Sequence, residues 1–183
     1  MVRSIRFRWK ILPIVLAVGT WAISTLVYAK SPETQIPRAK FPAKVTSVKG
    51  ESIDVAKLAE TRRVVVVTLK ATWCPVCQEQ LRRIRRSLRN PDQCGIAILV
   101  LSPGPAEALR QIQTDLGVPF PFIEDRNLKI ASSLGLRLAD DQIQPSILIL
   151  ERDLSVGWSR VGRSTENFGD PALLREVNCA GLI

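Results

Sequence analysis

The 183-residue chain contains no histidine, and this absence removes several kinds of chemistry at once. Without an imidazole there is no Ser–His or Cys–His nucleophile pair. A haem attachment of the form CxxCH is excluded as well, because Gln78 follows Cys77. Zinc would have to rely on the four cysteines alone, Cys74, Cys77, Cys94 and Cys179. Four-Cys sites usually repeat a C-x2-C knuckle twice, whereas here one knuckle is joined by two isolated cysteines, so no metal is expected. No cofactor is implied either. Internal repeats and low-complexity tracts are also missing.

What is present begins with a hydrophobic segment. Arg3, Arg6, Arg8 and Lys10 form a basic start without acids, and the 19 residues from Ile11 to Ala29 are apolar apart from Thr20, Ser24 and Thr25. Residues 1–29 therefore read as a secretory signal or a single membrane anchor. Val27-Tyr28-Ala29 has the small-residue character of a cleavage site, and about 17 to 25 apolar residues are enough for a span. By the positive-inside rule the basic flank stays cytoplasmic, which places everything after Lys30 on the exported side, periplasmic or lumenal. Residues 1–29 hold four of the 26 basic side chains and none of the 17 acidic ones, so 22 remain against 17 and the rest of the chain carries +5. That mild excess gives no reason to expect nucleic acid as a partner.

Residues 30–44, KSPETQIPRAKFPAK, carry three prolines and no periodicity, and read as a tether. Residues 45–183 then read as one α/β domain. Val45–Val48 suits a short edge strand, Gly50 a turn and Asp54–Glu60 a short helix. Val64–Leu69 is apolar without alternation, as in a strand buried on both faces. Cys77–Arg89 has Leu81, Ile84 and Leu88 at helical spacing, with Arg82, Arg83, Arg85, Arg86 and Arg89 on the outer face. That face is either solvated or a docking surface for an acidic partner or anionic lipid. Ile96–Leu101 is a second buried strand, so strand, helix and strand imply a right-handed parallel crossover. Helices are expected at Ala106–Leu116, Leu128–Leu134 and Pro171–Val177, and strands at Ile147–Leu150 and Val156–Val161. Pro119–Ile123 can be only a short edge segment, because it contains two prolines.

The chemistry-bearing stretch is Trp73-Cys74-Pro75-Val76-Cys77, at the junction of a buried strand and a helix. A helix N-terminus offers unpaired N–H groups and the positive end of the dipole, which stabilise a thiolate at Cys74. Cys77, almost one turn further in, is placed to resolve a mixed disulfide formed at Cys74. Pro75 fits the first turn. The alternative is a staple without turnover.

Residues 45–178 resemble a thioredoxin-fold protein of the redoxin type, similar to exported TlpA-like thiol-disulfide oxidoreductases. The likeness is carried by ATWCPVC at 71–77, FPFIEDRNLKIASSLGL at 120–136 and QPSILIL at 144–150. It implies a central mixed sheet flanked by helices, with the extra helix and strand of redoxins inserted before Pro145. It also implies active-site support from Trp73, Pro75 and Pro145, the last as a cis-proline facing the disulfide. The implied partners are client protein thiols or disulfides and an upstream redox protein, with a membrane tether where residues 1–29 are retained. The sequence departs from that pattern at three places. Thr68 stands six residues before Cys74, where thioredoxins bury an aspartate; Gln80 follows Cys77 by three, where a glutamate is common; and Lys70 replaces an aromatic residue.

Two other functions compete. A thiol peroxidase of the peroxiredoxin group shares the redoxin fold, but its signature has threonine three residues before the reactive cysteine, and Thr72 is two before Cys74. A non-catalytic assembly factor or scaffold would keep the fold for binding alone. In a thioredoxin-like sheet Cys94 and Cys179 would both lie at the edge opposite the active site, and export favours a disulfide between them. The other reading is two buried thiols that never meet.

Overall fold

The computed structural model describes residues 39–88, 90–162, 173, 176 and 177. The hydrophobic segment 1–29 and most of the expected tether lie outside the described residues. No helix among the described residues is long and apolar enough to cross a membrane.

Among the described residues the elements that are complete follow in the order β1 (Lys44–Thr46), β2 (Ser52–Asp54), α1 (Val55–Thr61), β3 (Arg63–Thr68), α2 (Pro75–Ser87), β4 (Ile96–Ser102), α3 (Ala106–Leu116), β5 (Phe122–Glu124), α4 (Lys129–Ser133), β6 (Arg137–Ala139), β7 (Gln142–Ile143), β8 (Ser146–Leu150) and β9 (Val156–Val161). A single 3-10 turn, Pro91–Cys94, leads into β4. Five strands form the central sheet in the order β5-β4-β3-β8-β9. β3, β4 and β5 are parallel, while β8 and β9 run antiparallel to their neighbours. This is the mixed sheet that the resemblance implied.

The four valines of β3 show why that strand has no alternation in its sequence. Val65 and Val67 pack with Ile98, Val100, Ile147 and Ile149 beneath α2 and α3. Val64 and Val66 point the other way, into a second core with Leu99, Leu101, Leu148 and Leu150 that α1 and α4 cover. All four are fully buried, each worth on the order of 1.5–2 kcal/mol relative to exposure. β3 is thus the floor of two cores, and its C-terminal end is where the two cysteines follow.

Three elements were not legible in the sequence. β2 pairs with β1 as a hairpin, clipped to the sheet by Val48 N–H donating to Phe122 O (2.8 Å). β6 and β7 form a small ribbon around Asp140 and Asp141. The third is the docking of the expected tether: Phe41 is 1% exposed, and its N–H donates to Leu154 O (2.9 Å). Ordered structure therefore begins ahead of residue 45. Of the closing helix, Leu173, Glu176 and Val177 are helical, and Leu173 is buried against the α2 side of the sheet.

Candidate active site

α2 starts where the sequence allows it to start. Cys74 has extended backbone (φ −79°, ψ 100°) and caps the helix, Pro75 takes the first helical position, and Cys77 lies in the first turn. Proline is suited there because its missing N–H would have no helical partner in any case. Cys74 and Cys77 are joined by a disulfide with their Cα atoms 5.3 Å apart. Cys77 is fully buried and Cys74 is 6% exposed.

Each sulfur faces a backbone donor. Cys77 N–H points to Cys74 Sγ (3.3 Å) and Lys70 N–H to Cys77 Sγ (3.5 Å). In the reduced protein both donors favour negative charge on sulfur. Trp73 stands out at 59% exposed, with Lys70 Nζ 5.4 Å from its ring centroid. A cleft of about 380 Å³ opens beside it, lined by Thr72, Trp73, Pro105, Arg126, Asp140 and Asp141 among others. The acidic turn of the β6–β7 ribbon thus borders the motif, which a sequence without a clear strand pattern at Arg137–Ile143 did not reveal.

Thr68, one of the positions at which the sequence departs from the thioredoxin pattern, has a different task here. Thr68 is fully buried, but it alternates with Val67 and Leu69, which pack in the same core as Cys77. Its hydroxyl donates across to β8 instead, to Gln144 O (2.7 Å) and more weakly to Ser146 O (3.3 Å). It is a strand clamp. Replacing it with valine should cost about 1 kcal/mol and lower the melting temperature by a few degrees. The rate of disulfide exchange should stay unchanged, as thermal unfolding and a turnover assay on one preparation would show. Glu79, next to Gln80, is engaged by two arginines. Arg86 hydrogen-bonds its carboxylate (2.9 Å) and holds it below its ordinary value against the opposing effect of desolvation, and Arg82 adds a second, weaker contact (3.3 Å). Part of the arginine-rich face is thereby neutralised, and Arg85 caps α3 by donating to Leu116 O (2.8 Å).

The expectation for Pro145 needs correction. Among the described residues the cis peptide bond falls at Gly104–Pro105, not at Gln144–Pro145. Hydrogen bonds on both sides of Pro145 already fix how the chain enters β8. Gln144 N–H donates to Leu136 O (2.7 Å), Gln144 O accepts from Thr68 and Ser146, and Pro145 O accepts from Gly162 N–H (2.7 Å). No reversal is required there. Pro145 nonetheless enters β8 at the active-site end of the sheet, since Thr68 pairs with Ser146 and Ile143 N–H donates to Lys70 O (3.1 Å). Pro105 lines the cleft beside Trp73, after Gly104 at φ +100°, where a Cβ would meet the Glu124 side chain at 2.5 Å.

Cys94 ends the 3-10 turn at the opposite end of the sheet and is disulfide-bonded; its expected partner, Cys179, lies outside the described residues. No cluster of potential metal ligands occurs among the described residues.

A sequence model of the AhpC/TSA family matches residues 32–159. The chain belongs to the AhpC/TSA family. Its members are typically oxidoreductases, peroxiredoxins or thiol-disulfide exchangers, and the redoxin-family chain described here is an oxidoreductase at that level. No curated protein matches the sequence. Among solved structures, peroxidoxin BcpB from Mycobacterium tuberculosis is similar with a TM-score of 0.64 and 12% identity, over 78% of this chain and 97% of that one. Peroxiredoxin Q from Xanthomonas campestris gives 0.66 and 16%, over 79% and 94%. A secreted Mycobacterium tuberculosis disulfide oxidoreductase homologous to E. coli DsbE gives 0.58 and 15%, over 74% and 93%. At such identities these likenesses establish the thioredoxin-like fold and nothing finer.

Proposed function

We propose that this redoxin is an exported, TlpA-like thiol-disulfide oxidoreductase that exchanges disulfides with client proteins through Cys74 and Cys77. The observation that carries this reading is the unequal placement of two cysteines that already form a disulfide, one capping α2 and the other buried a turn inside it. In the reducing direction the Cys74 thiolate attacks a client disulfide, forms a mixed disulfide and releases one client thiol. Cys77 then loses its proton and attacks Cys74 Sγ. The motif disulfide closes, the second client thiol leaves, and two electrons have passed to the client. Run backwards, the same steps oxidise a client dithiol. Trp73 and Leu138 are the large apolar side chains left exposed among the described residues. Trp73 adjoins the disulfide and Leu138 lies in the ribbon that borders the cleft, so both suit contact with a client chain. Export rests on the basic start and apolar run of residues 1–29.

The family match supports a second reading as a thiol peroxidase. Cys74 would be oxidised to a sulfenic acid by a peroxide, with release of water or alcohol, and Cys77 would condense with it to the disulfide with loss of water. Insulin reduction with dithiothreitol, run beside peroxide consumption, separates the two. Turnover of insulin with negligible peroxide use supports the first reading, and the reverse result overturns it. The reduction potential of the Cys74–Cys77 pair then fixes the physiological direction.

The second pair carries a proposal too, a disulfide between Cys94 and Cys179 closing a loop of most of the domain. Unfolded, air-oxidised protein should show no titratable thiol, and Cys179→Ser should show one, at Cys94. Two thiols in the unsubstituted protein would refute the pairing.

A further inference from the structure

Pro119 and Pro121 bracket Phe120 just before β5, and they decide how far that strand can run along β4. Val100 N–H donates to Pro121 O (2.9 Å). The next ladder bond, toward the start of β4, would need an N–H at residue 121 for the carbonyl of Ile98. Proline has none. β5 accordingly pairs only with Val100–Ser102, whereas β3 pairs with β4 from Ile96 to Leu101. Leu101 O accepts from Leu69 N–H, and Gly95 O from Arg63 N–H, so the odd-numbered residues of β4 bond toward β3. Alternation turns the N–H and C=O groups of Ile96 and Ile98 the other way, into the gap that β5 leaves.

A cleft of about 680 Å³ opens at this gap, lined by Ile96, Ile98, Gln113 and Phe120 among others. Gln113 is 7% exposed. Its Nε2 donates to Phe120 O (2.7 Å), but its Oε1 is buried with no hydrogen-bond partner among the described residues. A sheltered acceptor without a donor is costly, and so is a stretch of strand edge whose N–H and C=O groups meet no partner among the described residues. Such groups mark a place where something is missing.

We propose that this cleft takes an extended segment of a partner polypeptide, added as a strand to β4 at Ile96 and Ile98, with an N–H or hydroxyl donor reaching Gln113 Oε1. The open groups are one donor and one acceptor on every second residue, which is the repeat of polypeptide backbone itself. Charge argues for a neutral segment. Lys49 and Glu51 stand together on the lining, and Arg62 is paired with Asp92, so neither sign prevails and an anionic ligand gains nothing. The cleft lies along the first half of β4, whereas Cys74 and Cys77 follow the far end of β3, which runs parallel to it. Binding therefore requires no cysteine in the partner and is independent of the redox state.

Hydrogen exchange and peptide selection on the full-length protein, with its motif disulfide closed, test this. In the free protein the Ile98 amide should exchange at least about tenfold faster than those of Ala97 and Leu99, which are bonded to β3. Octapeptides selected from a random displayed library should slow Ile98 exchange about tenfold. They should lose binding when alternate peptide nitrogens are methylated, a change that leaves the protein untouched. They should bind Gln113→Leu at least about fivefold more weakly. Protection of Ile98 in the free protein would mean that the chain's own residues fill the gap, and would overturn the proposal. So would a selection yielding no peptide that binds below about 1 mM, peptides that act only around Trp73, or binding indifferent to methylation.

Discussion

Cys77→Ser should accumulate mixed disulfides with client proteins, and Cys74→Ser should accumulate none. The difference follows from position. Cys74 caps α2, receives the Cys77 N–H, and retains 6% exposure, whereas Cys77 is fully enclosed. A client sulfur can therefore reach only the first. With Cys77 removed, attack by Cys74 proceeds but the intermediate has no internal thiol to release it, so the covalent complex persists on non-reducing gels. With Cys74 removed, the remaining thiol lies in the apolar core with Leu81, Val67 and Leu69 and lacks both access and the helix end. Both substitutions should lower turnover by on the order of a thousandfold or more, the scale for loss of a nucleophile. Trapping by both variants alike would refute the assignment of roles. Under the peroxidase reading the same Cys77→Ser protein would instead stall as a sulfenic acid that dimedone labels, so one variant also reports on which chemistry operates.

The sequence made some elements legible because a single physical constraint wrote them. Four consecutive valines can be a strand only if both faces are covered, and the two cores on β3 supply that cover. Pro119 and Pro121 limited β5 to a short segment, as the missing N–H at Pro121 requires. Pro75 after Cys74 marked the start of α2, although the helix begins two residues ahead of the expected Cys77. Other elements depended on distant partners and left no local mark. The β6–β7 ribbon is two and three residues long, too short for an alternating pattern, and its place is set by Ile143 N–H bonding to Lys70 O. Thr68 gives no local sign that its hydroxyl clamps β8, since that depends on a residue 76 positions away. The cis bond fell at Gly104–Pro105 and not at Gln144–Pro145, where a hydrogen bond to Leu136 O and others from Thr68 and Gly162 hold the entry to β8. The disulfide and its helix cap, by contrast, were legible from the CxxC spacing after a buried strand.

Phe41→Ala should destabilise the protein by about 3–5 kcal/mol, the range for deleting a buried aromatic side chain. By composition this residue belonged to a tether, with Pro37 before it and Pro42 after it. In the structure its ring is 1% exposed and packs in the core that includes Val64, Val66, Leu148 and Leu154. Two weaker contacts accompany it. Lys40 reaches Asp153 (3.1 Å), but both side chains are largely exposed and such pairs are worth little. Phe41 N–H donates to Leu154 O, and that backbone bond survives the substitution. The ring therefore carries the docking, and Lys40→Ala should move the unfolding midpoint far less than Phe41→Ala. Acid provides an independent check on the neighbouring turn. The hydroxyl of Ser155, then its N–H and then Lys40 hold the Asp153 carboxyl down to about 2. Because that value is depressed, the turn's contribution is present in full above the ordinary carboxylate value of ~3.9 and is lost only as the pH falls toward 2. Urea unfolding at pH 7 and pH 4.5 should then rank the two variants identically. An equal, small effect of both substitutions would restore residues 30–44 to a mere tether, whereas the expected gap between them moves the start of the folded domain back to at least Phe41.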